Sequence, residues 1–138
     1  MKKLTLLVLI LLGIGLSTSI SASDTPPATK VSLCAGNVIN TMPCPLNVCI
    51  TYVDCMGVTK TACLVLGPGA TMPMSAFTGG CCSTIMFITC QLVSTPPAPV
   101  SPNVAPGSIV PYFTGFPPPC NKMIIDYSTS IPDCVIHP

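Results

Sequence analysis

The sequence predicts a small, disulfide-rich, mainly β fold, with short antiparallel strands and few or no helices after an N-terminal signal peptide. Three observations carry this expectation. Ten Cys stand in a chain of 138 residues. Seventeen Pro and ten Gly interrupt the chain too often for long helices. The apolar runs are short, rich in β-branched and aromatic residues, and bounded by turn residues, and none shows sustained helical periodicity with a cap.

The N-terminus has the layout of an export signal. Met1-Lys2-Lys3 is a short positive start, Leu4 to Leu16 is an almost unbroken apolar run, and small or polar residues fill Ser17 to Ser23. A membrane span needs about 20 apolar residues, which this run does not reach. Residues 1–22 are therefore expected to be a secretory signal peptide cleaved after Ala22, with Ser21 or Ser23 as alternatives. Downstream, no stretch is long and apolar enough to be a transmembrane segment, so the expected destination is secreted, extracellular or cell surface. Cleavage removes Lys2 and Lys3, and the remainder sets Lys30, Lys60 and Lys122 against Asp24, Asp54, Asp126 and Asp133.

The elements follow in order. Residues 23–33 read as a flexible leader containing Pro26-Pro27. Residues 34–93 read as a cysteine-rich β module. Within it, Val48 to Val53 and Thr59 to Leu66 form strands joined at Met56-Gly57, a hairpin. Gly67-Pro68-Gly69 stops the second strand, and Thr78-Gly79-Gly80 marks a further turn. Ser83 to Val93 is the strongest strand. Ile85 and Phe87 lie on one face and Met86 and Ile88 on the other, which predicts a central core strand. Residues 94–119 hold nine Pro, no charge and no Cys. Pro96, Pro99 and Pro102 share one face of a polyproline II helix, so the segment reads as a Pro-rich linker. Its second part, Gly107 to Phe116, reads as an edge segment where Pro111 is tolerated. Residues 120–138 read as a C-terminal disulfide loop whose segment Lys122 to Tyr127 is a candidate strand.

The cysteines are Cys34, Cys44, Cys49, Cys55, Cys63, Cys81, Cys82, Cys90, Cys120 and Cys134. An even number in an exported chain implies a disulfide framework. No CxxC pair is present, so a zinc site is not expected. Five bridges are the expectation, each contributing about 2–4 kcal/mol. Parity favours four within 34–90 and one between Cys120 and Cys134. Cys81 and Cys82 are not expected to bridge each other, because the geometry of a disulfide strains an adjacent pair.

The chain carries little catalytic chemistry. His137 is the only His, and as the penultimate residue it reads as a solvated tail group. Glu is absent, and Asp54 and Asp133 each stand beside a Cys in no recognisable motif. There is no GxSxG elbow and no phosphate loop. No enzymatic activity, cofactor or metal is expected. Met72-Pro73-Met74 reads as gap-filling apolar side chains rather than a Cu(I) site. No Asn-x-Ser/Thr sequon is present, while Thr25-Pro26, Thr95-Pro96 and Ser101-Pro102 suit O-glycosylation or proline hydroxylation.

Charge scarcity shapes the functional reading. Nucleic acid is excluded as a partner because no basic patch exists. Seven charged side chains cannot dress the exterior of the processed chain, so Ser, Thr, Asn, Gly, Pro and apolar atoms must cover it. The leading expectation is a structural protein capable of self-assembly, whose expected partners are copies of itself or an extracellular protein or matrix. Ile85–Val93 would supply core and Gly107–Phe116 contact surface. The alternative is a monomeric secreted binding module, an inhibitor, toxin-like or effector protein, presenting the loop Cys34–Cys44 or Gly67–Gly80.

Overall fold

The computed structural model describes residues 33–128 and 132–138. The expected signal peptide, all but the last residue of the expected leader, and Thr25-Pro26 lie outside the described residues. The described chain is a small, mainly β, disulfide-rich fold, as the sequence predicts. Eight strands form two sheets that share one hydrophobic core. The strands are β1 (Asn37–Asn40), β2 (Leu46–Val53), β3 (Thr59–Leu66), β4 (Thr71–Pro73), β5 (Thr84–Leu92), β6 (Ile109–Phe113), β7 (Lys122–Asp126) and β8 (Cys134–His137). A 3-10 turn, Leu33–Ala35, precedes β1, and one short helix, α1 (Met74–Thr78), follows β4.

The smaller sheet runs β3-β2-β5. The predicted hairpin is present, with β2 and β3 antiparallel from Leu46↔Leu66 to Val53↔Thr59. Asp54 shapes its turn. Its Oδ1 accepts from the Met56 N–H at 2.8 Å and the Val58 N–H at 2.9 Å, and its Oδ2 meets Lys60 Nζ at 2.8 Å. Gly57, at φ 79°, supplies the left-handed residue that the turn needs.

Alternation explains which β2 side chains are buried. Leu46, Val48 and Ile50 face the core with no exposure. β5 departs from simple alternation. The register slips between Thr51 and Tyr52, so Thr51 pairs with Phe87 and Tyr52 with Ile85. Met86 is the extra residue of this bulge and is exposed. The bulge turns both Ile85 and Ile88 inward, correcting the expectation that they lie on opposite faces. The same sheet order corrects the position of β5, which is beside β2 at the sheet margin rather than central.

The larger sheet runs β4-β1-β8-β7-β6. β1 lies parallel to β8 and antiparallel to β4, and the β6-β7-β8 neighbours are antiparallel. Segments far apart in sequence therefore make one sheet, with residues 37–40 beside residues 134–137. Lys122–Asp126 joins the sheet as its candidate strand status required, and Ile109–Phe113 forms an edge strand.

The Pro-rich segment is a strap rather than a free linker. Ile88 and Val104 exchange backbone hydrogen bonds at 2.9 Å, and the Ser101 N–H donates to Cys90 O at 2.8 Å. Ser101 Oγ accepts from the Cys90 N–H at 2.8 Å, and Gln91 Nε2 donates to Ala98 O. Ala98, Ser101 and Val104 are buried. The strap satisfies backbone groups that a marginal strand would otherwise leave open.

Candidate functional site

Two features were marked by the sequence as functional: the cysteines and the charge-poor surface. Eight cysteines are bridged, as Cys34–Cys82, Cys44–Cys120, Cys49–Cys63 and Cys55–Cys81. Cys49 and Cys63 are directly opposed on β2 and β3. The adjacent Cys81 and Cys82 tie the entry to β5 to two separate segments, the β2–β3 turn and the 3-10 turn. The expected Cys120–Cys134 bridge is corrected. Cys120 lies two residues before β7 and reaches Cys44 in the β1–β2 link, while Cys134 on β8 is buried in the core. Sequence distance misled here, because the topology places residue 120 beside residue 44.

Four bridges stand where five were expected: Cys90 and Cys134 lie outside them, both with no exposure. Burial pushes the Cys134 thiol up to about 12, helped by the negative charges of Asp126 and Asp133. Burial raises Cys90 too, and Cys134 adds to the effect. Tyr127, also buried, has its phenol raised by burial and then by Cys134.

The other sequence-marked residues are also placed. His137 is not a solvated tail group. It stands in β8 opposite Ile124 and is partly buried. Met74 is fully buried in the core and Met72 packs against it. The expected presenting loops are largely ordered structure: Cys34–Cys44 contains β1, and Gly67–Gly80 contains β4 and α1. Among the described residues, no group of three or more His, Cys, Asp or Glu is arranged to hold a metal ion. Within the same residues, no helix is long and apolar enough to cross a membrane.

The most exposed aromatic side chain lies on β6. Phe113 is 69% exposed and its neighbour on the same face, Ile109, 58%. The registers define what surrounds them on the outer face of the larger sheet. One row runs Thr71, Ile39, Val135, Asp126, Ile109 across all five strands. The next runs His137, Ile124, Pro111, and the next pairs Lys122 with Phe113. The face is thus mainly apolar, with one cation and one anion at opposite ends of β7. Hydrogen bonds from Ser128 and its own N–H hold the Asp126 carboxyl below the usual range, and His137 contributes in the same sense.

The rim of this face cannot accept another strand along its whole length. The Thr114 N–H donates to Asn121 O and the Tyr127 N–H to Ser108 O. This phase turns the backbone groups of residues 110 and 112 towards β7, and those of 109, 111 and 113 towards the open edge. Pro111 therefore stands at the open edge without an N–H. Sequence reading found this segment through its three aromatics. It missed the contributions of Ile39 and Val135, because four-residue strands are too short for alternation to register.

A second, smaller feature is a groove at the end of the other sheet, lined by Asn47, Val65, Gln91, Val93, Ser94 and Pro97. Comparison with protein-family models, curated proteins and solved structures found no match for the chain. The fold itself defines a small β domain stabilised by disulfides, a construction consistent with an extracellular or secreted protein.

Proposed function

We propose that the protein is a structural component that self-associates through the outer face of its larger sheet, acting by contact rather than catalysis. The observation that carries this reading is the apolar face around Phe113 and Ile109, set on a scaffold cross-linked at four places. The charges on the face favour a second copy as its occupant. Lys122 and Asp126 are four residues apart on β7, or about 13 Å at strand rise. A two-fold axis lying in the interface at Ile124 sets Lys122 of each copy against Asp126 of the other. The same operation places Phe113 over the second copy's Ile109, and Pro111 over its own equivalent. Apolar groups then meet apolar groups and each charge meets its opposite.

The test is sedimentation of the oxidised protein over a concentration series. Concentration-dependent dimers or larger species are expected, and Phe113→Ser should reduce them sharply. Lys122→Asp should weaken association, and the swap Lys122→Asp with Asp126→Lys should restore it. A wild-type monomer at every concentration, or a swap that fails to restore what Lys122→Asp removes, would reject this interface. The groove at Asn47, Val65 and Gln91 supports a second reading, a monomeric binding module. That reading requires the monomer throughout and loss of partner binding on substitution of Gln91.

A further inference from the structure

Cys90 and Cys134 stand outside the four bridges, yet the fold places them together. Cys90 lies on β5 between Ile88 and Leu92, residues that face the core with at most 4% exposure. Cys134 lies on β8 two residues before Ile136, which is also fully buried. Both cysteines belong to the single core cluster between the sheets.

The registers put them at one level. At the link between β1 and β2, Asn40 pairs with Ile136 in the larger sheet and Leu46 with Leu92 in the smaller. Two residues away from the link on each strand, Val38 pairs with Cys134 and Val48 with Cys90. Each cysteine is thus the inward residue of the strand beside β1 or β2, the same distance from the same link. Two-layered β folds accommodate a bridge between strands of facing sheets at such a position. Cys134 adds to the upward shift of the Cys90 thiol, in keeping with two sulfurs enclosed in the same core. The two thiols are fully enclosed, so neither can reach an outside thiol without opening the sandwich.

We propose that Cys90 and Cys134 close a fifth disulfide that joins the inner faces of the two sheets through the core. The chemistry is thiol–disulfide exchange with a dithiol–disulfide oxidant of the exporting compartment. The thiolate of one cysteine attacks the oxidant's disulfide, forming a mixed disulfide and releasing one oxidant thiolate. The second cysteine, as thiolate, attacks the mixed disulfide at the protein sulfur. The Cys90–Cys134 bond forms, the second oxidant thiolate leaves, two protons pass to solvent, and two electrons reside on the reduced oxidant. Burial requires that this exchange precede closure of the sheets.

This bridge differs from the other four in location. Cys55 and Cys63 are exposed, and Cys34, Cys44, Cys49, Cys81, Cys82 and Cys120 are partly exposed. Only the Cys90–Cys134 pair is wholly interior, so a mild reductant acting on the folded protein should open it last.

The experiment uses the purified exported protein, unfolded in guanidinium without reductant, alkylated with iodoacetamide and digested with pepsin at acid pH. The expected map has no alkylated cysteine and contains a peptide pair joined through Cys90 and Cys134. Alkylation of both Cys90 and Cys134, or a bridge from either to another cysteine, would overturn the proposal. In Cys90→Ala, alkylation should appear at Cys134 alone; alkylation at any of the other eight would assign Cys90 elsewhere and reject it. The wild-type map decides the question even if that variant fails to fold.

Discussion

Asn40 offers the sharpest test of how the two sheets are held together. It is fully buried at the end of β1, and its side chain reaches across to the end of β3. Its Nδ2 donates towards Cys44 O at 3.0 Å, Leu66 O at 3.2 Å and Gly67 O at 3.0 Å, and its Oδ1 accepts from the Met42 N–H at 3.0 Å. Nδ2 has two hydrogens, so the side chain makes about three full hydrogen bonds at a net of about 1 kcal/mol each. Removing it by Asn40→Ala leaves the buried Met42 N–H unsatisfied, at about 1–3 kcal/mol, and forfeits a further net of about 1 kcal/mol at Leu66 O, which keeps its ladder partner Leu46. Cys44 O and Gly67 O lie closer to solvent and can recover water. The expected loss is about 2–4 kcal/mol, measured as the shift in urea midpoint under oxidising conditions with an unchanged m-value. Asn40→Asp should be at least as damaging at neutral pH, because a carboxylate offers no donor to three carbonyl oxygens. It should recover partly as acid protonates it. A loss below about 1 kcal/mol for Asn40→Ala, or an Asn40→Asp variant as stable as wild type at neutral pH, would refute the assignment of Asn40 as the clamp between sheets.

Further expectations follow from other contacts. At Gly36 a Cβ would stand 1.6 Å from Pro132 O, so Gly36→Ala must displace backbone and should cost at least about 3 kcal/mol, read as the unfolding midpoint. Removing both cysteines of the Cys44–Cys120 pair, separated by 76 residues, should cost about 4.5 kcal/mol on the chain-entropy model. Removing Cys49–Cys63, separated by 14, should cost about 3 kcal/mol, so the reverse order would show that native-state effects dominate. The Asp54 carboxyl is held below its ordinary value of 3.8, first by the Lys60 hydrogen bond and then by the Val58 and Met56 N–H groups. Its stabilisation is complete above that ordinary value and is lost as pH falls through the lower folded one. Thermal midpoints measured below pH 4 should therefore fall less steeply for Asp54→Asn than for wild type.

The legible part of the fold was the local part. β2, β3 and their turn could be read because eight-residue strands dense in β-branched residues, separated by a Gly-containing turn, need no tertiary information. Ile109–Phe113 and Lys122–Asp126 were legible for the same reason. What escaped was non-local. β1, β4 and β8 have four, three and four residues, and each is a strand only because a partner from elsewhere lies beside it. The parallel pairing of β1 with β8 brings residue 38 to residue 134, which no spacing rule foresees. That same pairing overturned the parity argument for Cys120 and Cys134. The bulge opposite Thr51 and Tyr52 was invisible too, since an inserted residue shifts inward-facing positions without altering composition. Asn40 could not be picked out, because a buried amide is recognised only by the carbonyls it meets.

The treatment of the sheet edges bears directly on the proposed self-association, which requires contact without indiscriminate aggregation. Each edge has a device against strand addition. β4 is three residues long and ends in Pro73. β3 carries Lys60, 54% exposed and paired with Asp54. β5 is covered by the strap at Ser101 and Val104. β6 presents Pro111 at its open side. Four different solutions at four edges leave little room for backbone-mediated polymerisation. The faces are less protected: Ile109 and Phe113 stand on one, and Val65 beside the groove on the other. Association through side chains on a face is limited by shape and by the placing of its two charges, whereas edge pairing is limited by neither. A strand-addition mechanism would be strengthened by restoring the missing donor in Pro111→Val. The face mechanism predicts that this substitution, which keeps an apolar side chain at the centre of the face, yields the same species in sedimentation with at most a modest change in affinity, while Phe113→Ser removes them. New thioflavin-positive fibrils from Pro111→Val with soluble species otherwise unaltered would show that Pro111 guards the edge. Ordered growth of the species seen in wild type by the same substitution would mean that the edge, and not the face, is the site of contact.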